Sequence, residues 1–211
     1  MARARQHYPN AKPVGPSESR TLVLDIPPEK GEHALTEEYF APVLGVTQLP
    51  GQGASFLRAA VEVANERFAG TLGVNLLIAP ATQQELGTAL EEAIADLRYG
   101  TVGVNAWTGV GFLTPRASWG AFPGHTIEDV QSGIGIVHNA LLLEDTERTV
   151  VRGPFRPAPR SFLHREFTLS PKPPWFTNNR TAATTGRLLT TFAARPRWSK
   201  LPAIIASALR G

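Results

Sequence analysis

The chain has 211 residues, enough for one domain or one and a half at about 150 residues per domain. Hydrophobic residues make up 42% and charged residues 18%, a balance that excludes wholesale disorder. The absence of cysteine excludes disulfides, thiolate zinc sites, iron–sulfur ligation and a cysteine nucleophile within this chain, and no run reaches the roughly 18 apolar residues of a membrane-spanning helix.

The net charge of +3 conceals a sharp division. Residues 1–151 sum to −7, whereas residues 152–211 sum to +10 with Glu166 as their single acid. The change falls near Gly153-Pro154, and prolines then crowd in at Pro157, Pro159, Pro171, Pro173 and Pro174, as in an extended segment. The expected organisation is an irregular lead-in over 1–20, an α/β unit over 21–152, and a basic, Pro-rich and partly helical extension over 153–211. The basic N-terminus lacks the apolar stretch of a secretory signal, so a cytoplasmic protein is expected.

In chain order, Thr21–Ile26 is an apolar, β-branched run stopped by Pro27-Pro28 and predicts a strand. Phe40–Leu49 predicts a second, with Pro42 at its start or at an irregularity. From Ala54 to Phe68 apolar residues recur at three and four, at Phe56, Leu57, Ala60, Val61, Ala64 and Phe68, which predicts an amphipathic helix. Thr71–Ala79 is nearly all apolar, as in a strand buried on both faces, and Pro80 ends it. Thr82 with Glu85 reads as a capping box for a helix running to about Arg98. Gly100 stops that helix and Thr101–Asn105 is another strand. Strand, helix, strand, helix, strand predicts a parallel sheet with flanking helices in a three-layer α/β arrangement. Residues 106–126 look irregular. Ile127–Leu143 predicts helix at one or both ends, Glu147–Phe155 a last strand, and Arg180–Ala194 and Ser199–Leu209 two tail helices.

The two helices between the strands belong on one face of such a sheet, so its other face needs a separate cover: the 127–143 helix, the tail or a second chain. An uncovered face would make the isolated chain oligomeric or poorly soluble.

Candidate chemistry is sparse. Gly51-Gln52-Gly53 follows a strand and opens a helix, but Phe56 stands where a dinucleotide loop has Gly or Ala. Ser132 lacks the first glycine of a nucleophile elbow. His125 and Asp129 are four apart, yet no second pair completes a metal site, and none is expected. Glu37 and Glu38 point to opposite faces of an extended chain, and the residues alone do not choose which of them faces a polar site.

The order of several motifs resembles the aldehyde dehydrogenase superfamily over residues 20–155. Thr36-Glu37-Glu38-Tyr39-Phe40-Ala41-Pro42-Val43 is similar to its E-E-I-F-G-P-V segment. Val63-Ala64-Asn65 with Phe68-Ala69-Gly70-Thr71-Leu72 follows as its Ala-Asn and Y-G-L segments do, and Tyr99-Gly100-Thr101-Val102-Gly103-Val104-Asn105 is similar to A-G-T-V-x-V-N. Ser118-Trp119-Gly120-Ala121-Phe122 loosely matches P-F-G-G, Ser132-Gly133 matches S-G, and Arg148-Thr149-Val150 matches K-T-V.

The resemblance implies a partial catalytic domain, the C-terminal portion of an NAD- or NADP-dependent oxidoreductase that turns aldehydes into carboxylates. It implies that Glu38 accepts hydrogen bonds from the nicotinamide ribose, that Phe40 packs beside the nicotinamide, and that Trp119 and Phe122 line the substrate tunnel. It also implies a homo-oligomer contact through the Arg148–Val151 strand. The family's nucleophilic cysteine, general-base Glu, oxyanion-hole Asn and dinucleotide-binding domain lie upstream of the E-E-I-F segment and are not in this chain. The isolated chain is therefore expected to bind no cofactor and to be inactive, because the family's reaction needs the thiolate. Two other readings stand beside this one. The first is a non-catalytic oligomerisation module of the same fold. The second is a tail-mediated contact with a membrane surface or nucleic acid, carried by Trp175, Phe176, Phe192 and Trp198 among the tail arginines.

Overall fold

The computed structural model describes residues 1–29, 32–156, 160–165, 172 and 178–211. Glu166, Trp175, Phe176 and the prolines at 157, 159, 171, 173 and 174 lie outside the described residues. The chain divides into two units, Met1–Val151 and Arg152–Gly211.

The first unit is mixed α/β and holds two separate three-stranded sheets. It opens with helix α1 (Ala2–His7) and strand β1 (Lys12–Val14), so the lead-in expected to be irregular is ordered. The reason is tertiary: β1 pairs antiparallel with β2 (Arg20–Val23), and Arg5 Nε donates to Thr21 Oγ1 at 3.2 Å. After helix α2 (His33–Thr36), strand β3 (Val43–Gly45) pairs parallel with β2, Thr21 opposite Val43. The predicted ten-residue strand is thus only three residues long, beginning after Pro42.

The second sheet carries the core. Helix α3 (Gly53–Arg67) leads to β4 (Gly73–Leu76), then to helices α4 (Pro80–Leu86) and α5 (Thr88–Asp96), and on to β5 (Thr101–Val104). β4 and β5 are parallel, Val74 opposite Val102, and β8 (Thr149–Arg152) completes the order β4-β5-β8. Leu57, Val61 and Ala64 of α3 meet Leu90, Ala93 and Ile94 of α5 over Val102 and Val104, with Val74 and Leu76 beside them. Each buried Leu or Ile in this cluster contributes about 1.5–3 kcal/mol from apolar area removed from water.

Four expectations need correction here. β3, β4 and β5 do not form one sheet, because β3 pairs with β2 instead. β4 is an edge strand of four residues rather than a strand buried on both faces, and Leu77 just beyond it is 80% exposed. No capping box forms at Thr82: the helix begins at Pro80, which needs no donor at its first position, and Gly87 at φ +51° separates α4 from α5. Residues 127–143 hold no helix, since Gln131, Gly133 and Gly135 all adopt positive φ; strand β7 (Ile136–His138) lies there instead.

The second face of β5 is covered by a segment that reads as irregular. Helix α6 (Gly109–Leu113) and strand β6 (Trp119–Gly120) pack against Thr101 and Gly100 at the start of β5, the Ala106 carbonyl closes over Gly103, and β6 pairs antiparallel with β7. Glycine makes this approach possible. A Cβ on Gly100 would collide with the Gly120 carbonyl, and one on Gly111 would lie 3.1 Å from Thr101 Cγ2. All four residues of β5 are consequently buried.

In the second unit, α7 (Arg160–Leu163) precedes two helices, α8 (Ala182–Ala194) and α9 (Leu201–Ala208), close to their predicted spans. A 3₁₀ turn over Trp198–Lys200 leads into α9. Thr185 and Ser207 share a buried hydrogen bond of 2.8 Å between these helices, and Lys200 Nζ donates to Thr191 O and Arg195 O at the end of α8. Among the described residues no helix is long and apolar enough to cross a membrane.

Candidate functional site

A cleft of about 1040 Å³ opens between the turn after α2 and the edge of the second sheet. Glu38, Phe40 and Trp119 all line it, with Tyr39, Thr108 and Ser132. Three of the four predicted site residues therefore meet in one place, although Trp119 is remote from the other two in sequence.

The two adjacent carboxylates separate as their alternation requires. Glu37 is half-buried and engaged: Arg3 Nη2 lies 2.6 Å from Oε1 and His33 Nε2 lies 2.6 Å from Oε2. Glu38 is exposed to the cleft. The segment that presents it is latched to the N-terminal helix. Tyr8 Oη donates to the Glu32 carboxylate and accepts from Ala34 N at 2.8 Å, while the His7 ring lies 3.7 Å from that of His33. Burial and the Glu32 carboxylate push the Tyr8 hydroxyl up to about 12. Burial, with Glu37 adding to it, also raises Tyr39.

Phe40 is neither a core residue nor in a strand. Its ring is 89% exposed and its backbone sits at φ +43°, a conformation a bulky residue rarely holds. Both features cost free energy, and such strain is concentrated at functional sites. Trp119 is held edge-on by Phe112, ring centres 5.5 Å apart, within the short β6–β7 ladder.

Thr71, between the cleft-lining residues Gly70 and Leu72, gathers partners from three distant segments. Its N–H donates to Ser132 Oγ at 2.7 Å and its hydroxyl bonds His125 Nε2 at 2.6 Å. Its carbonyl accepts from Gly100 N and Phe122 N. Ser132 and His125 are therefore positioning groups for one turn of backbone, and His125 shares no helix face with Asp129. A Thr just after a glycine and before a strand gives no signal of this kind, because its partners are distant in sequence.

Phe122 stands apart from the large cleft. It lines a second one of about 460 Å³, and its ring lies under the Arg148 guanidinium at 5.0 Å. Among the described residues no cluster of three potential metal ligands occurs. No protein-family model matches the chain, and neither a curated protein nor a solved structure matches it.

Proposed function

We propose that this chain supplies the cofactor-facing and substrate-tunnel wall of an NAD(P)-dependent aldehyde dehydrogenase-like oxidoreductase, with the nucleophile on another segment. The observation that carries this assignment is the convergence of Glu38, Phe40 and Trp119 on one cleft. The residues fit a nicotinamide riboside. Glu38 is an exposed carboxylate, able to accept two hydroxyl hydrogen bonds, and Phe40 offers a bare apolar face. The chemistry supplied by a nicotinamide bound there would be hydride acceptance. Glu38 orients the ribose, Phe40 and Trp119 keep water from the reacting faces, and the α1–α2 latch holds the turn that carries both Glu38 and Phe40. β8 ends its sheet, and its outer edge is where a second copy would pair.

The test joins the chain behind a cysteine-containing dinucleotide-binding segment of an aldehyde dehydrogenase and follows reduced cofactor on adding aldehyde. Aldehyde-dependent reduction that falls with Glu38→Gln and with Phe40→Ala supports the assignment. Reduction equally fast in both variants would remove it.

A further inference from the structure

The segment from Trp198 to Leu209 has a buried side and an exposed one. Ile204 and Ser207 turn inward and are buried, Ser207 against Thr185 of α8. Pro202, Ile205 and Leu209 follow each other at three and four residues, the spacing of one helix face, with Trp198 in the 3₁₀ turn before them, and all four are exposed. Trp198 is 87% exposed and Ile205 44%. The hairpin cannot turn to hide them, because Thr181 Oγ1 donates to Ser207 O, Thr185 bonds Ser207, and Lys200 ties the start of α9 to the end of α8. Arg195 and Arg197 stand exposed at one end of the stripe and Arg210 at the other. Residues 152–211 carry a charge of +10 with one acid in the whole stretch.

From this arrangement we propose that the outer face of the 198–209 segment is a docking surface for an anionic lipid bilayer. Eight residues of α9 span about 12 Å, far short of the hydrocarbon core, so the helix lies in the plane of the interface. Trp198 sits at headgroup level, Ile205 and Leu209 enter the acyl boundary, and the three arginines meet lipid phosphates. Other partners suit the face less well. A second copy docked face to face would set Arg195, Arg197 and Arg210 against themselves. A nucleic acid would answer the arginines but leave Ile205 and Leu209 facing water.

The experiment sediments the full 211-residue chain with vesicles of two parts phosphatidylcholine to one part phosphatidylglycerol, and with pure phosphatidylcholine vesicles. The expected result is binding to the mixed vesicles that weakens with salt, at least about tenfold above that to the neutral ones. Arg195→Glu with Arg197→Glu should lower binding by about 20-fold or more, taking roughly fivefold per cation at an anionic surface. Trp198→Ala should lower it about tenfold and remove the blue shift of tryptophan emission on binding. Circular dichroism checks that these exposed substitutions leave the helices intact, and Ile205→Glu repeats the apolar test at a second position. Equal binding to neutral vesicles, no sedimentation with either, or variants that bind as the native chain does would each overturn the proposal. So would retention on a DNA duplex that mixed vesicles fail to displace.

Discussion

Asn105 and Ile78 are joined by two hydrogen bonds in opposite directions. Ile78 N donates to Asn105 Oδ1 at 2.8 Å, and Asn105 Nδ2 donates to Ile78 O at 2.8 Å. The amide side chain thus stands in for one more residue of ladder where β4 and β5 end. Asn105 sits at φ +52°, a conformation that asparagine tolerates better than most residues. Asn105→Ala should destabilise the first unit by about 2–4 kcal/mol, from two unmet backbone groups and a strained backbone. Urea denaturation followed by circular dichroism measures it, and a loss under half a kcal/mol would show that water replaces the amide.

Arg148 links three elements. Its Nη1 lies within 2.9 Å of the carbonyl oxygens of Ile94, Ala95 and Leu97 at the end of α5, and its guanidinium covers Phe122. Lysine presents a point charge rather than a planar fork. Arg148→Lys should therefore cost about 1–2 kcal/mol and Arg148→Ala about 2–3. In thermal melts the two variants should rank in that order, and a lysine variant as stable as the native chain would reduce the interaction to charge alone.

Gly100 admits no side chain, since a Cβ there would overlap the Gly120 backbone. Gly100→Ala should separate β6 from β5 at a cost above about 3 kcal/mol, while Gly87→Ala at an open position tests only the cost of positive φ. Amide exchange around Thr101 and Trp119 would report the first change and not the second.

The Tyr8 hydroxyl has its pKa raised in the fold, so the folded state holds this proton more tightly than the unfolded chain. The stability linked to it is complete below pH 10.0 and is lost as pH rises toward about 12. Tyr39 and Tyr99 move in the same direction, each chiefly through burial. Tyr8→Phe should make the decline in stability above pH 10.0 shallower. Denaturation midpoints measured across that range in both proteins decide it, and parallel curves would detach Tyr8 from the alkaline loss.

Glu38→Gln, in a polypeptide that also carries the nucleophile, should raise the hydride-transfer barrier by about 1–3 kcal/mol, because an amide is a poorer acceptor for two hydroxyls. The 211-residue chain alone should reduce neither NAD nor NADP with any aldehyde. Cofactor reduction by the purified chain above blank would contradict the assignment of the nucleophile to another segment.

Periodicity by itself determined α3, because its buried face is built from Leu57, Val61 and Ala64, three and four apart, and Gly70 follows its end. It also located β5, whose short β-branched run lies between Gly100 and Asn105. The motif resemblance names Glu38, Phe40 and Trp119, and the fold brings these three to one cleft. Only tertiary structure decided the rest. The sheet membership of β3 depends on pairing with β2, and the order at 2–14 depends on contacts with β2 and α2. The cover at the start of β5 comes from close approach at Gly100 and Gly111, which carries no hydrophobic pattern. The division of labour between Glu37 and Glu38 was undecidable from adjacency, since it is set by Arg3 and His33 arriving on one side. Local propensity acts over one turn of chain, whereas these features arise from hydrogen bonds and packing between residues tens of positions apart.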